Sequence, residues 1–262
     1  MNMPSAQLTH AIPHQPGDPL GTTLHVDSLT ARYGKKTALN DVSFSLTRGV
    51  HGLLGPNGAG KSTLFGVLAG TLRSHSGTVE VADAVKGEHI QSSIGYLPQH
   101  FDTIGGLTAL EHVEFAAWVN AIPDKLCRDA AFKALAVVNL TELASMKVKK
   151  LSGGQRQRLG IACAVAHRPA ILLLDEPTVG IDPMQRTEMR KYLYHIGQRS
   201  TVLVSTHLVE DLTNISQQVL ILSHGSLVFQ GTVEQLSERG HHDDRLASPL
   251  ESGYRAVLGQ QQ

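Results

Sequence analysis

Gly55-Pro56-Asn57-Gly58-Ala59-Gly60-Lys61-Ser62 is the stretch that decides how this chain folds. It satisfies the pattern G-x-x-x-x-G-K-[ST]. A short apolar run, Val50 to Leu54, leads into it, and a helix-like stretch, Ser62 to Thr71, leads out. Strand, glycine-rich turn and helix in that order place a phosphate-binding loop at the carboxyl end of a strand in an α/β protein. The glycines let successive backbone N–H groups turn toward one anion without Cβ clashes, and the helix adds its positive dipole end. Lys61 is expected to reach the β- and γ-phosphates as a point charge, and the Ser62 hydroxyl to ligate Mg²⁺. The motif implies a nucleoside triphosphate with Mg²⁺. By itself it does not separate ATPases from GTPases or small-molecule kinases.

A second apolar strand carries the acids such chemistry needs. Ile171-Leu172-Leu173-Leu174 runs into Asp175-Glu176, so a buried strand delivers two carboxylates to its carboxyl edge. Asp175 is placed to hold Mg²⁺. Glu176, on the other side of the strand by alternation, is placed to polarise an attacking water, a role worth roughly 10²–10⁴ in rate. Further on, Leu151-Ser152-Gly153-Gly154-Gln155 opens another helix with Ser152 as a natural N-cap. Two glycines at a helix N-terminus make a second anion cradle. One chain with one phosphate loop has no evident use for two cradles, so the simplest resolution is that the second serves a nucleotide held by another molecule.

The rest of the chain fits around these motifs. Period-2 patterning at Leu24 and Val26, then at Val42, Phe44 and Leu46, predicts half-buried strands near the start. Thr78 to Val81 and Ile94 to Leu97 add two more. Between Gln99 and Leu151 the periodicity turns helical: Thr108-Ala109-Leu110-Glu111 reads as a capping box, Leu110, Val113 and Ala117 recur on one face, and Pro123 opens a second helix running to Asn139. Then α/β alternation resumes, with helices from Ser152 to about His167 and from Pro183 to Gln198, and strands at Ile171 to Leu174 and Thr201 to Ser205. Val219 to Leu222 and Leu227 to Phe229 flank Ser223-His224-Gly225-Ser226, a hairpin signal. Residues 1–22 read as a flexible extension without a secretory signal, and 239–262 as a polar tail in which His241-His242-Asp243-Asp244 is a solvated run rather than a metal site.

Composition narrows the function classes. The chain of 262 residues has 41% hydrophobic and 18% charged residues, and its 23 basic residues balance 23 acidic ones. That balance argues against a protein that coats nucleic acid, and no nucleic-acid partner is expected. Cys127 and Cys163 show no metal-ligating spacing and suit packed, reduced thiols. No segment approaches the roughly 20 apolar residues of a membrane span. A cytoplasmic protein is expected, with any membrane role coming through a partner.

The order of motifs resembles that of the ATP-binding subunits of ABC transporters over about residues 24–235. Tyr33 matches the aromatic that stacks on adenine, and Gly55 to Ser62 with Thr63 the phosphate loop. Gln99, in Gly95-Tyr96-Leu97-Pro98-Gln99, matches the glutamine that contacts Mg²⁺ and senses the membrane partner. Leu151 to Gln155 is the family signature unaltered, Asp175 and Glu176 match the Mg²⁺ aspartate and catalytic glutamate, Asp182 the D-loop aspartate, and His207 the switch histidine near the γ-phosphate. The resemblance implies a P-loop NTPase core with a mixed sheet, an N-terminal antiparallel β subdomain, and a helical subdomain inserted at about 100–165, within an ATP-binding domain spanning 23–238. It implies ATP hydrolysis catalysed by Glu176 and His207, with Ser62, Gln99 and Asp175 as Mg²⁺ ligands.

The resemblance also implies a head-to-tail dimer in which Ser152, Gly153, Gly154 and Gln155 of one chain close on ATP held by the other. An integral membrane permease on the cytoplasmic face completes the machine. Val179-Gly180-Ile181-Asp182 departs from the commoner Ser-Ala-Leu-Asp. Gly180 to Pro183 and the short C-terminus look similar to ABC-2 type exporter subunits, and an importer's additional regulatory barrel is not expected. The alternative is an ATPase without a transport role, in a scaffold such as iron–sulfur assembly.

Overall fold

The computed structural model describes residues 22–82, 90–240 and 248–259. Of the expected flexible extension at 1–22, residues 1–21 lie outside the described residues, as does the run His241-His242-Asp243-Asp244, and Thr22 begins the first strand.

Alternating apolar residues build the first sheet. Strand β1 (Thr22–Tyr33) pairs antiparallel with β2 (Lys36–Thr47) and with β4 (Ser76–Val81), in the order β2-β1-β4. Strict alternation would put residue 28 inside; instead Leu24 and Val26 are followed by buried Leu29 and Ala31. A bulge absorbs the shift: Ser28 has φ +49° and Asp41, opposite on β2, has φ +53°. Their freed amides are capped by side chains, Ser28 N–H donating to Ser43 Oγ (2.8 Å) and Asp41 N–H to Thr30 Oγ1 (3.2 Å). An extra residue in one strand keeps its apolar set facing inward on both sides of the bulge.

The second sheet has the order β5-β6-β7-β3-β8-β9. Its strands are β3 (Gly49–Leu54), β5 (Ile94–Leu97), β6 (Ile171–Asp175), β7 (Thr201–Ser205), β8 (Ser216–Ser223) and β9 (Ser226–Gly231). The first five in that order run parallel, and β9 returns antiparallel to β8. Strands β3, β6 and β7 are buried at every position, as continuous apolar runs require when both faces are covered. Alternation along β6 divides the core. Leu172 and Leu174 face the helical side, whereas Ile171 and Leu173 face α1 (Lys61–Leu68) and the antiparallel sheet.

Helices α2 (Ala109–Val119), α3 (Asp124–Val137) and α4 (Gly153–Val165) form the inserted helical part. The capping box is present: Glu111 N–H donates to Thr108 Oγ1 (3.2 Å) and Thr108 N–H to a Glu111 carboxylate oxygen (2.7 Å). Leu110, Val113 and Ala117 are buried as their spacing predicts. Helix α1 stops before Thr71, because Gly70 adopts φ +75°. Helix α5 (Pro183–Gly197) follows Asp182, whose carboxylate caps the Gln185 amide at 2.9 Å. Both cysteines are buried, and burial pushes the Cys163 thiol up to about 12.

The stretch expected as a polar tail contains structure. After the short α6 (Val233–Ser237), helix α7 (Pro249–Gly259) packs on the last hairpin with Leu250 and Val257 buried beside Leu236 and Phe229. Leu250, Tyr254, Val257 and Leu258 recur at helical spacing and form the face that packs, and close backbone approach adds to it. A Cβ on Gly253 would meet the Leu236 carbonyl oxygen at 1.8 Å.

Three histidines are taken into the interior. His51 is wholly buried on β3, and its Nε2 lies 2.9 Å from the Thr47 carbonyl. Burial pushes the pKa values of His51, His112 and His167 below the ordinary imidazole value of 6.5. Below that value the unfolded chain binds protons at these positions that the folded chain refuses, so stability is fully present above it and is lost as pH falls through it. The urea midpoint of the chain is therefore expected to drop between about pH 7.5 and about pH 5.5; an unchanged or rising midpoint contradicts this account.

Candidate functional site

Parallel register brings the loops after β3, β6 and β7 to one edge of the sheet. Leu53 on β3 and Asp175 on β6 both lie opposite Ser205 on β7. The segments that follow, Gly55 to Lys61, Glu176 to Thr178, and Thr206 to His207, therefore emerge side by side.

The phosphate loop takes its shape from two tight approaches. Gly55 has φ +157°, and a Cβ there would stand 2.4 Å from the Leu222 carbonyl oxygen. Gly60 has φ +109°, and a Cβ there would meet the Ala38 carbonyl oxygen at 2.7 Å. Gly60 is also the N-cap of α1 and offers no side chain to the first-turn amides, so those donors face the loop. The Lys61 ammonium donates to the Gly55 and Pro56 carbonyl oxygens at 2.7 and 3.3 Å. Burial pushes its pKa down, opposed by the carboxylates of Glu176 and Asp175. The closest of these atoms is Glu176 Oε1, 3.8 Å from Nζ.

Ser205 organises the acids. Its hydroxyl donates to Asp175 Oδ1 at 2.5 Å and accepts the Glu176 N–H at 2.9 Å. The alternation argument for Glu176 needs correction here. Strand β6 ends at Asp175, and Glu176 sits beyond it in a left-handed conformation, φ +53°. That turn swings its carboxylate toward the phosphate loop rather than to the opposite face of a strand. Glu176 Oε2 lies 2.7 Å from His207 Nδ1, and the carboxylate is buried while the imidazole is half exposed. Asp175 is almost fully buried, and burial of the Tyr96 phenol, with a smaller contribution from the Asp175 charge, raises that phenol to about 12.

Lys61 and Glu176 face a cleft of about 570 Å³, whereas Gly55, Pro56, Asp175 and His207 are not among its lining residues. Of the residues expected from sequence, it is lined by Tyr33, by Asn57 to Thr63, by Gln99 and by Glu176. Ser62 and Gln99 line the cleft and Asp175 lies buried at the strand end, and all three carry oxygen donors of the kind that could hold a hard divalent cation. Sequence reasoning missed Lys36, Thr37, Ala38, His224 and Gly225, which also line the cleft. His224 (φ +47°) and Gly225 (φ +82°) form the β8–β9 turn. The Gly225 N–H donates to the Ala59 carbonyl at 2.9 Å, so the hairpin is tied to the phosphate loop. The hairpin was legible, but only three-dimensional contact shows where its tip lands.

Ser152, Gly153, Gly154, Gln155 and Asp182 stand apart, and none of them lines this cleft. Ser152 caps α4 through a capping box with Gln155: the Gln155 N–H donates to Ser152 Oγ at 3.2 Å, and the Ser152 N–H to Gln155 Oε1 at 2.9 Å. The N-terminus of α4 is exposed. Gly154 lies against the Gln185 side chain of α5, whose Oε1 would stand 1.8 Å from a Cβ built there.

Comparison with known proteins agrees with this geometry. The ABC transporter family model matches residues 39–179. The linearmycin resistance ATP-binding protein LnrL of Bacillus subtilis is 34% identical over 221 residues, covering 82% of this chain and 71% of that protein. The daunorubicin resistance ATP-binding protein DrrA3 of Streptomyces coeruleorubidus is 34% identical over 220 residues, covering 82% and 70%. In fold, the chain is similar to the ATP-binding cassette MJ1267 of an ABC transporter in its ADP conformation, with a TM-score of 0.75 at 22% identity over 91% of this chain and 99% of that one. The phosphate loop and the acids facing it thus lie where a whole family of transport ATPases shares sequence, and the chain belongs to that family, the ABC transporters, as an ATP-binding subunit that hydrolyses ATP to power transport.

Proposed function

We propose that this subunit works as half of a two-chain motor that drives export through a separate membrane permease. The observation that carries the pairing is the separation of the two anion cradles. The phosphate loop faces the cleft, whereas the exposed N-terminus of α4, with Ser152 to Gln155, does not line it. A second copy placed head to tail would bring its Ser152 to Gln155 onto ATP held at Lys61. Apolar side chains flank Asp182 on the same surface: Val179 is 49% and Met184 82% exposed, which suits contact with another chain.

In this arrangement Tyr33 stacks on adenine, the amides from Gly55 to Thr63 and the Lys61 ammonium hold the phosphates, and Asp182 stands at the contact between chains. Ser62, Gln99 and Asp175 would hold a magnesium ion, which supplies charge neutralisation on the phosphates. Glu176 accepts a proton from the attacking water, and His207, 2.7 Å from its Oε2, keeps that carboxylate aimed at the cleft. Closure of a second chain excludes bulk water and ties hydrolysis to motion.

A permease partner is part of the proposal because no described helix is long and apolar enough to cross a membrane. The subunit would sit on the cytoplasmic face through that partner. Export rather than import is favoured by the resistance proteins among its relatives, LnrL and DrrA3. The same relatives do not favour the scaffold alternative.

Replacing Glu176 by Gln is expected to preserve ATP binding, lower turnover by roughly 10²–10⁴ and trap an ATP-bound dimer in size-exclusion chromatography. A variant that stays monomeric with saturating ATP contradicts the paired motor. Lys61→Ala should lose nucleotide affinity in a fluorescent-nucleotide titration; wild-type binding would remove Lys61 from the site. Ser152→Arg is expected to abolish turnover while each chain still binds ATP, and normal activity per site would refute the trans cradle.

A further inference from the structure

A buried carboxylate outside the cleft joins the two loops that carry Glu176 and His207. Asp211 lies on a short 3₁₀ turn, Val209–Leu212, just past His207, and is only 7% exposed. Its Oδ2 accepts two hydrogen bonds, from Thr178 Oγ1 at 2.6 Å and from Thr206 Oγ1 at 3.2 Å. Both threonines are themselves buried. Thr178 stands two residues after Glu176 and Thr206 immediately before His207. The Thr206 hydroxyl in turn accepts the Leu208 N–H at 3.0 Å, and the Asp211 N–H donates to the Leu208 carbonyl at 3.1 Å, so the turn closes on itself.

One oxygen atom thus joins the loop leaving β6 to the loop leaving β7. The two loops come from different strands. The Glu176 N–H still reaches Ser205 on β7, at 3.2 Å to its carbonyl oxygen and 2.9 Å to its hydroxyl. The paired register, however, ends at Asp175 opposite Ser205 and does not extend to His207. The 2.7 Å contact between Glu176 and His207 lies past that point and needs the loops in fixed relative position. Glu176 is also the residue there in a left-handed backbone conformation, which persists only where its surroundings over-determine it. A buried carboxylate is costly unless hydrogen-bonded, and an apolar residue would fill the space at lower cost. Its two bonds give the carboxylate a reason to be there.

We propose that Asp211 is a positioning residue for ATP hydrolysis: by accepting hydrogen bonds from Thr178 and Thr206 at one oxygen, it holds Glu176 and His207 in register. It touches neither substrate nor the reacting atoms and acts through its two threonines. The inference rests on the reading of Glu176 as the group that activates water.

The test uses basal ATPase activity of the purified full chain, with melting temperature and ATP affinity measured for every variant. Asp211→Leu, which fills the space but accepts nothing, is expected to lower kcat about ten- to a hundredfold, the scale of a misplaced catalytic group, with ATP affinity within about twofold. Asp211→Asn, whose amide oxygen can still accept from both threonines, should recover most of that loss. Unchanged kcat in Asp211→Leu, or an Asp211→Asn variant as impaired as Asp211→Leu, overturns the proposal. Should Asp211→Leu fail to fold, Thr178→Val and Thr206→Val each delete one hydroxyl at nearly constant shape. Lowered kcat in both, recovered by the corresponding Ser variants, supports the proposal, and full turnover in both overturns it. Glu176→Gln is run in parallel. If that variant keeps its turnover, the underlying reading fails; if it is inactive while the threonine variants are normal, the Asp211 inference alone fails.

Discussion

The site depends on the parallel register of three neighbouring strands. Leu53 of β3 and Asp175 of β6 both face Ser205 of β7, so three loops leave the sheet at the same height. Parallel strands put all their carboxyl ends on one edge, and an open α/β sheet binds its ligand there. A slip of one residue on β6 would exchange Leu172 and Leu174 for Ile171 and Leu173 between two separate cores. Burial of both faces therefore makes the register expensive to change, and the register in turn places Asp175 beneath the phosphate loop.

Chemistry at this edge is arranged by short polar contacts rather than by the strands themselves. Ser205 donates to Asp175 and accepts from the Glu176 amide, and that second bond helps hold Glu176 in a conformation few glutamates adopt. The turn at Glu176 matters because a carboxylate that continued the strand would alternate away from the cleft. Lys61 meets the same carboxylate from the other side, 3.8 Å away. The β8–β9 turn then braces the phosphate loop through the Gly225 bond to Ala59. Opposing charges, one strained backbone and a hairpin brace make a preorganised pocket whose parts come from four separate stretches of chain.

The division of the molecule into two cradles follows from where the helices start. Helix α1 begins inside the cleft with no side-chain cap, leaving its first amides to an anion. Helix α4 begins outside it, with Ser152 and Gln155 closing a capping box that satisfies two of its amides. Asp182 caps α5, whose Gln185 side chain reaches Gly154 at the start of α4. One chain thus carries a nucleotide-facing surface and, elsewhere, an exposed helix start whose geometry is built by its own caps.

Much of this was legible in the sequence, for a physical reason. Period, capping and glycine placement are local rules, so the phosphate loop, the capping box at Thr108, the buried strand ending in Asp175 and the His224-Gly225 hairpin can be read from adjacent residues. What tertiary structure alone decided depends on atoms far apart in the chain. Glu176 reaches the cleft by a left-handed turn that alternation cannot foresee. His224 arrives beside the nucleotide cleft because its hairpin packs on the phosphate loop. Asp211 finds Thr178, 33 positions away, only after two strands have paired. Helix α7 is short and follows a polar run, so its stripe of Leu250, Tyr254, Val257 and Leu258 shows its purpose only once the last hairpin supplies the apolar surface it covers. Local propensity is written residue by residue, whereas a hydrogen bond between loops exists only once the sheet has brought them together.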